Sequence, residues 1–224
     1  MWWFKTFVKY IVLAGIVLLD STVRAGSFED FFKAAAIDNE SAMVSLALRG
    51  FDLNTRNEEG NSGLIVALQE GSLKVAGFLL TQRSVRVNDR NPRGESPLMI
   101  AAIRGHLGIA EQLIRRGAEV NMRGWTPLHY AASRAEADST GMVRLLLEHH
   151  AYIDAESPNR STPLMLAAMY GHRDLVPLLL QEGADPSLRN EQGLTAVDFA
   201  RRADRDDLAD LIAQRLRQRA PAGR

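Results

Sequence analysis

The residues with spacing that admits chemistry are histidines, paired carboxylates and glycine turns. His149 and His150 are adjacent. Neighbours on a helix point about 100° apart, so this pair is a poor metal chelator. His106 and His172 each follow a glycine, and His129 closes Thr126-Pro127-Leu128-His129, all positions with a structural use. The chain has no cysteine, so it offers no thiolate ligand, thiol nucleophile or disulfide. Ser, His and Asp combine by chance in a chain of 224 residues, and no Gly-x-Ser-x-Gly elbow accompanies them. Gly60-Asn61-Ser62-Gly63 lacks the Lys-Ser/Thr that completes a phosphate loop. Glu58-Glu59 and Asp206-Asp207 read as solvated acidic pairs. The sequence predicts no catalytic residue, no metal and no cofactor.

What recurs is structural. Gly94-Glu95-Ser96-Pro97-Leu98-Met99-Ile100-Ala101-Ala102, Gly124-Trp125-Thr126-Pro127-Leu128-His129-Tyr130-Ala131-Ala132 and Arg160-Ser161-Thr162-Pro163-Leu164-Met165-Leu166-Ala167-Ala168 share one form. Weaker copies start at Gly60 and Gly193. The apolar anchors Leu64, Leu98, Leu128, Leu164 and Val197 are spaced by 34, 30, 36 and 33 residues. A period near 33 predicts a stacked solenoid. Ser or Thr before Pro starts a helix, since the hydroxyl caps free N–H groups and Pro at the first helical position has none to lose. The paired alanines let neighbouring helices approach. A second helix follows each turn (Ile109 to Ile114, Val143 to Leu147, Leu175 to Leu180) and ends at glycine in Arg116-Gly117 and Glu182-Gly183.

This pattern resembles the ankyrin repeat over roughly residues 28–214, five or six times. The resemblance implies an all-α solenoid of about six helix-turn-helix units with β-hairpin-like fingers. The repeats fall near 28–56, 57–90, 91–122, 123–156, 157–189 and 190–214, and residues 215–224 read as a basic, frayed tail. The first repeat lacks the Thr-Pro start, and the charged residues Arg201, Arg202, Asp204, Arg205, Asp206 and Asp207 suit a closing cap. Two irregularities lie mid-array. The finger after Asn121 is about three residues short, and the link Ser133 to Gly141 is about three long. Each reads either as tolerated drift or as room for a partner.

Residues 1–25 stand apart. Lys5 and Lys9 precede a ten-residue apolar run, Tyr10 to Leu19, and Val23-Arg24-Ala25 offers small residues where a signal peptidase reads. This resembles a secretory signal peptide cut after Ala25. An uncleaved membrane anchor is the alternative, although the run is shorter than the roughly 20 residues a span needs. A chain starting at Gly26 carries 24 basic and 26 acidic residues, which argues against a nucleic-acid partner. Export without cysteine fits a periplasm.

In ankyrin-like stacks the finger tips and first-helix faces form the binding surface, so the resemblance implies a protein partner bound by a monomer. By position the candidates are Glu58 and Glu59, then Arg93, Ile103 and Arg104, then Trp125 and Arg134, then Met169 and Tyr170, and Arg202 last. The strip reads acidic, then aromatic, then basic. Trp125 is either an interface anchor or a residue packed on its neighbour. The function expected is a non-enzymatic, periplasmic protein-binding scaffold. The alternatives are an immunity or inhibitor protein against a toxin or enzyme, and a factor of peroxide defence linked to catalase, with which some small bacterial ankyrin proteins are associated.

Overall fold

The computed structural model describes residues 26–219; the expected leader, residues 1–25, and the last residues, 220–224, lie outside them. The chain forms two compact bodies, the first ending at Val85 and the second starting at Arg86.

In the first body, α1 runs through residues 26–36, followed by α2 (Glu40–Leu48), α3 (Gly63–Glu70) and α4 (Leu73–Thr81). An aromatic cluster closes this end. Phe31 is fully buried, its ring 5.0 Å from that of Phe32 and 4.9 Å from that of Phe51. Phe31 also explains why the second repeat lacks proline at its helix start. Its ring occupies the space that any side chain at Gly63 would fill.

The second body holds α5 (Pro97–Arg104), α6 (Leu107–Arg115), α7 (Pro127–Ala132), α8 (Ser139–Glu148), α9 (Pro163–Met169), α10 (Leu175–Gln181), α11 (Ala196–Arg202) and α12 (Asp206–Arg219). The odd-numbered helices pack in a row, α5 on α7, α7 on α9, α9 on α11, and the even-numbered ones form a second row behind them. The sequence specifies this locally. Ser96 and Thr162 cap their helices through side-chain oxygens that accept from Met99 N–H (3.3 Å) and Met165 N–H (3.4 Å). Leu98, Leu128 and Leu164 are fully buried, as are the pairs Ala101-Ala102, Ala131-Ala132 and Ala167-Ala168 that let inner helices approach.

The fingers are tight turns rather than paired strands, the first residue of each both accepting one backbone bond and donating another across the turn. Asn57 donates to Asn61 (2.9 Å), Asn91 to Glu95 (3.1 Å), Ser157 to Ser161 (3.0 Å) and Asn190 to Leu194 (3.0 Å). Among the described residues only the isolated bridge between Arg56 and Ser62 has strand pairing. At the base of each finger an Asn or Asp ties one repeat to the next. Asn88 spans the Gly117 carbonyl (3.0 Å) and the Glu119 N–H (2.9 Å), and Asn121 spans the His150 carbonyl (2.7 Å) and the Tyr152 N–H (2.8 Å).

Three expectations are corrected. The tail does not fray at residue 215: α12 continues to Arg219, and Arg215 donates to the Leu180 carbonyl at 3.4 Å. Arg205 does not face water with the rest of its cap. It reaches back to the carbonyls of Ala167 (3.1 Å), Ala168 (3.2 Å) and Gly171 (2.7 Å), at the C-terminal end of α9 where the helix dipole favours a cation. Arg134, expected on the binding strip, does the same two repeats earlier. Its side chain is only 12% exposed and donates to the Ile103 carbonyl at the end of α5 (3.3 Å). The long link between α7 and α8 therefore supplies an internal brace.

Candidate functional site

The site is built where the array is irregular. In the neighbouring repeats the N-cap lies eight positions after the finger-base Asn or Asp, as from Asn88 to Ser96 and from Asp154 to Thr162; from Asn121 to Thr126 the step is five. The missing residues are the ones that close the other fingers. The fourth repeat thus carries no finger tip, and a notch opens between the turns at 91–95 and 157–161. Gly124, in the shortened turn, faces the Pro158 ring.

The floor of the notch is apolar. Ile103 from α5, Trp125, His129 and Tyr130 from the start of α7, Ser133 from its end and Leu166 from α9 line an open depression of about 240 Å³. Trp125 is 40% exposed, and its indole meets the His129 ring edge-on at 5.4 Å. The indole thus packs on its neighbour along one edge and leaves the other facing out.

His129 fixes that indole. It is fully buried; its Nδ1 accepts from the Thr126 N–H (3.2 Å), and its Nε2 donates to the Ser161 carbonyl of the next repeat (3.0 Å). The same helix position holds Met99, Met165 and Asp198 in other repeats, each accepting from its own N-cap N–H. Among these only His129 has a second polar atom that reaches across. Burial lowers its pKa below 6.5, against bonds to the Ser161 and Ala155 backbone that raise it. Tyr130 forms the side towards the third repeat, its hydroxyl donating to Glu95 (3.4 Å). Burial, then the Glu95 charge, push this phenol up to about 12.

Of the sequence candidates, Trp125 and Ile103 come together in the depression. Met169 and Tyr170 do not line it, although Tyr170 is 54% exposed. Arg93, Arg104 and Arg202 are exposed, and Glu58 and Glu59 are exposed in the first body. Tyr130 and Leu166 were missed. Tyr130 stands where Ile100 and Leu166 stand in the flanking repeats, so its hydroxyl was the available signal. Among the described residues no group of three His, Cys, Asp or Glu side chains is placed to hold a metal ion.

Comparison with known proteins agrees with this architecture. The family described as ankyrin repeats (3 copies) matches residues 31–124, 82–157, 120–190 and 135–218. The chain is 31% identical over 180 residues to the nuclear factor NF-kappa-B p105 subunit of Gallus gallus, covering 77% of this chain and 18% of that protein. It is 35% identical over 118 residues to alpha-latrocrustotoxin-Lt1a of Latrodectus tredecimguttatus, 51% of this chain and 8% of the toxin. It thus spans less than a fifth of these relatives. Among solved structures it is similar to a chain in the complex of the predatory endopeptidase Bd0816 from Bdellovibrio bacteriovorus with immunity protein Bd3460. The TM-score is 0.70 at 27% identity, covering 82% of this chain and 96% of that one. The helix pairs within each body, the capped Ser/Thr-Pro starts and the family match make this chain a member of the ankyrin-repeat family, a fold that serves as a scaffold for binding protein partners.

Proposed function

We propose that this protein is an exported, non-enzymatic scaffold that binds a protein partner over the notch of its fourth repeat, with Trp125 as the central anchor. The carrying observation is the half-exposed indole on an apolar floor, held by a buried histidine, where a finger is missing. Interface energy concentrates on such aromatic anchors in pockets. Export into a periplasm rests on the leader-like composition of residues 1–25 and on the absence of cysteine.

A second reading is a protein that holds a toxin or hydrolase inactive. It is favoured by the likeness to a chain in a complex of an endopeptidase with an immunity protein, over 96% of that chain's length. One experiment addresses both. Tagged protein and its Trp125→Ala variant are recovered from envelope extracts of the producing cell, and co-purifying proteins are identified by mass spectrometry. The scaffold reading expects a partner enriched by the wild type and lost in the variant. The inhibitor reading further expects that partner to be a hydrolase or toxin that loses activity on mixing. If the same proteins are retained by both forms, the assignment to Trp125 fails.

A further inference from the structure

The indole N–H aside, the polar hydrogens around the depression are already committed. Ser133 Oγ donates to the Tyr130 carbonyl (3.0 Å), and the Tyr130 hydroxyl donates to Glu95 Oε1 (3.4 Å). His129 Nε2 donates to the Ser161 carbonyl, and its Nδ1 accepts from the Thr126 N–H. Ser133 and Tyr130 therefore keep oxygen lone pairs and have nothing left to donate. A carboxylate stands behind them. Glu95 Oε2 takes Asn91 Nδ2 at 2.7 Å, whereas Oε1 holds only the long Tyr130 bond among the described residues. The Glu95 side chain is 15% exposed, so its charge is largely withdrawn from water.

No arginine or lysine lines the depression. Arg134, which holds the Ile103 carbonyl, is answered by Glu136 at 3.3 Å and Asp138 at 2.9 Å. Arg160, on the next finger, is held by Glu156 at 3.0 Å. Arg93 reaches Glu95 only at 3.7 Å, from a side chain that is 75% exposed, and such exposed pairs contribute little. The remaining surface is aromatic and aliphatic. Trp125 and Tyr130 carry ring faces that attract cations, and Ile103 and Leu166 suit a methylene stem. Acceptors, ring faces and a half-withdrawn carboxylate together complement a cation that brings several donors.

We infer that the notch takes an arginine side chain of the protein partner, with its guanidinium over the Trp125 indole and paired with Glu95. This rests on the binding role proposed for the same notch. Arginine suits it better than lysine, because the planar guanidinium stacks on an aromatic ring and brings five donors to a surface of acceptors. An acidic side chain would meet lone pairs and the Glu95 charge, so the notch selects against it.

The test selects a phage-displayed library of random dodecapeptides on the full chain, then measures the enriched peptides, made synthetically, by fluorescence polarisation. The expected consensus contains arginine. Exchanging it for citrulline, a neutral isostere, weakens binding about tenfold or more, and exchanging it for Lys weakens binding several-fold. Glu95→Gln, which keeps an oxygen for the Tyr130 hydroxyl, weakens binding about tenfold with the melting temperature unlowered, an outcome that separates recognition from folding. Trp125→Ala abolishes it with the helical circular dichroism retained. Glu111→Gln, on α6 in the second row, leaves it unchanged. Peptides without arginine, binding indifferent to citrulline or to Glu95→Gln, or an equal loss in Glu111→Gln overturn the inference. If such peptides still need Trp125, the notch and the scaffold reading stand without it. If peptides are enriched but bind Trp125→Ala equally well, the chain binds proteins elsewhere, so the notch fails and the scaffold reading stands. If no peptide is enriched, the inference fails, and the co-purification experiment decides separately whether the scaffold reading falls with it.

Discussion

Trp125 and His129 are one device, and each makes a prediction of its own. Trp125→Ala removes the edge-on partner of a ring that two other bonds already hold. The expected loss in partner binding is about 2 kcal/mol or more, with the helical content retained. Titration calorimetry and circular dichroism on the same preparations check it. If the variant unfolds while its folded fraction binds normally, the indole is core. His129 predicts a pH dependence. Burial disfavours the charged imidazolium, so its folded pKa is lowered from 6.5. The unfolded state then binds more protons as pH falls, and stability follows pH upward. The contribution of His129 is complete above the unfolded pKa of about 6.5 and is lost as the pH drops below it. Urea unfolding at pH 7.5 and 5.0 should show the loss in the wild type and a smaller one in His129→Gln. Equal losses in both would mean that this imidazole is not the sensitive group.

At the scale of elements, the inner helices and their braces carry the stability of the second body. Leu98 and Leu164 are fully buried, so either change to alanine should cost about 2–5 kcal/mol in chemical denaturation. A loss under about 1 kcal/mol would place these leucines outside the core. Arg205 holds three carbonyls at the C-terminal end of α9, and Arg205→Ala should lower stability by about 1–3 kcal/mol, since those acceptors lose a charged donor. Arg205→Lys should recover only part of this, because an ammonium lacks the planar fork. The helices were legible because Ser or Thr before Pro, the buried leucine and the paired alanines act within one turn of chain. The missing finger was legible as a count of residues between Asn121 and Thr126. The two braces were not. Arg134 and Arg205 look like any surface arginine, and their acceptors lie 31 to 38 residues away along the chain. Nor could residue types alone show that Tyr170 stays out of the depression while Tyr130 enters it. That depends on which way each residue faces from its helix.

At the scale of the whole molecule, the organising fact is that the helical array is already present at residue 26. Phe31 is fully buried, and Phe28 meets Phe32 edge-to-face with ring centroids 5.0 Å apart. The first repeat thus assembles its aromatic end from residues that all follow Ala25. This division of labour makes a joint prediction about processing and folding. If residues 1–25 act as a leader, the protein recovered from the cell envelope begins at Gly26 by intact mass, and Ala25→Arg blocks that cut. If those residues are only a leader, a chain expressed from Gly26 should melt within about 2 °C of the full-length form, since the aromatic contacts described in α1 join Phe28, Phe31, Phe32 and Phe51. Full-length protein held in the membrane fraction would instead favour the anchor, and intact protein starting at Met1 in the soluble cytoplasm would remove the export reading. A melting temperature many degrees lower for the shorter chain would show that residues 1–25 pack against the repeats and are part of the fold.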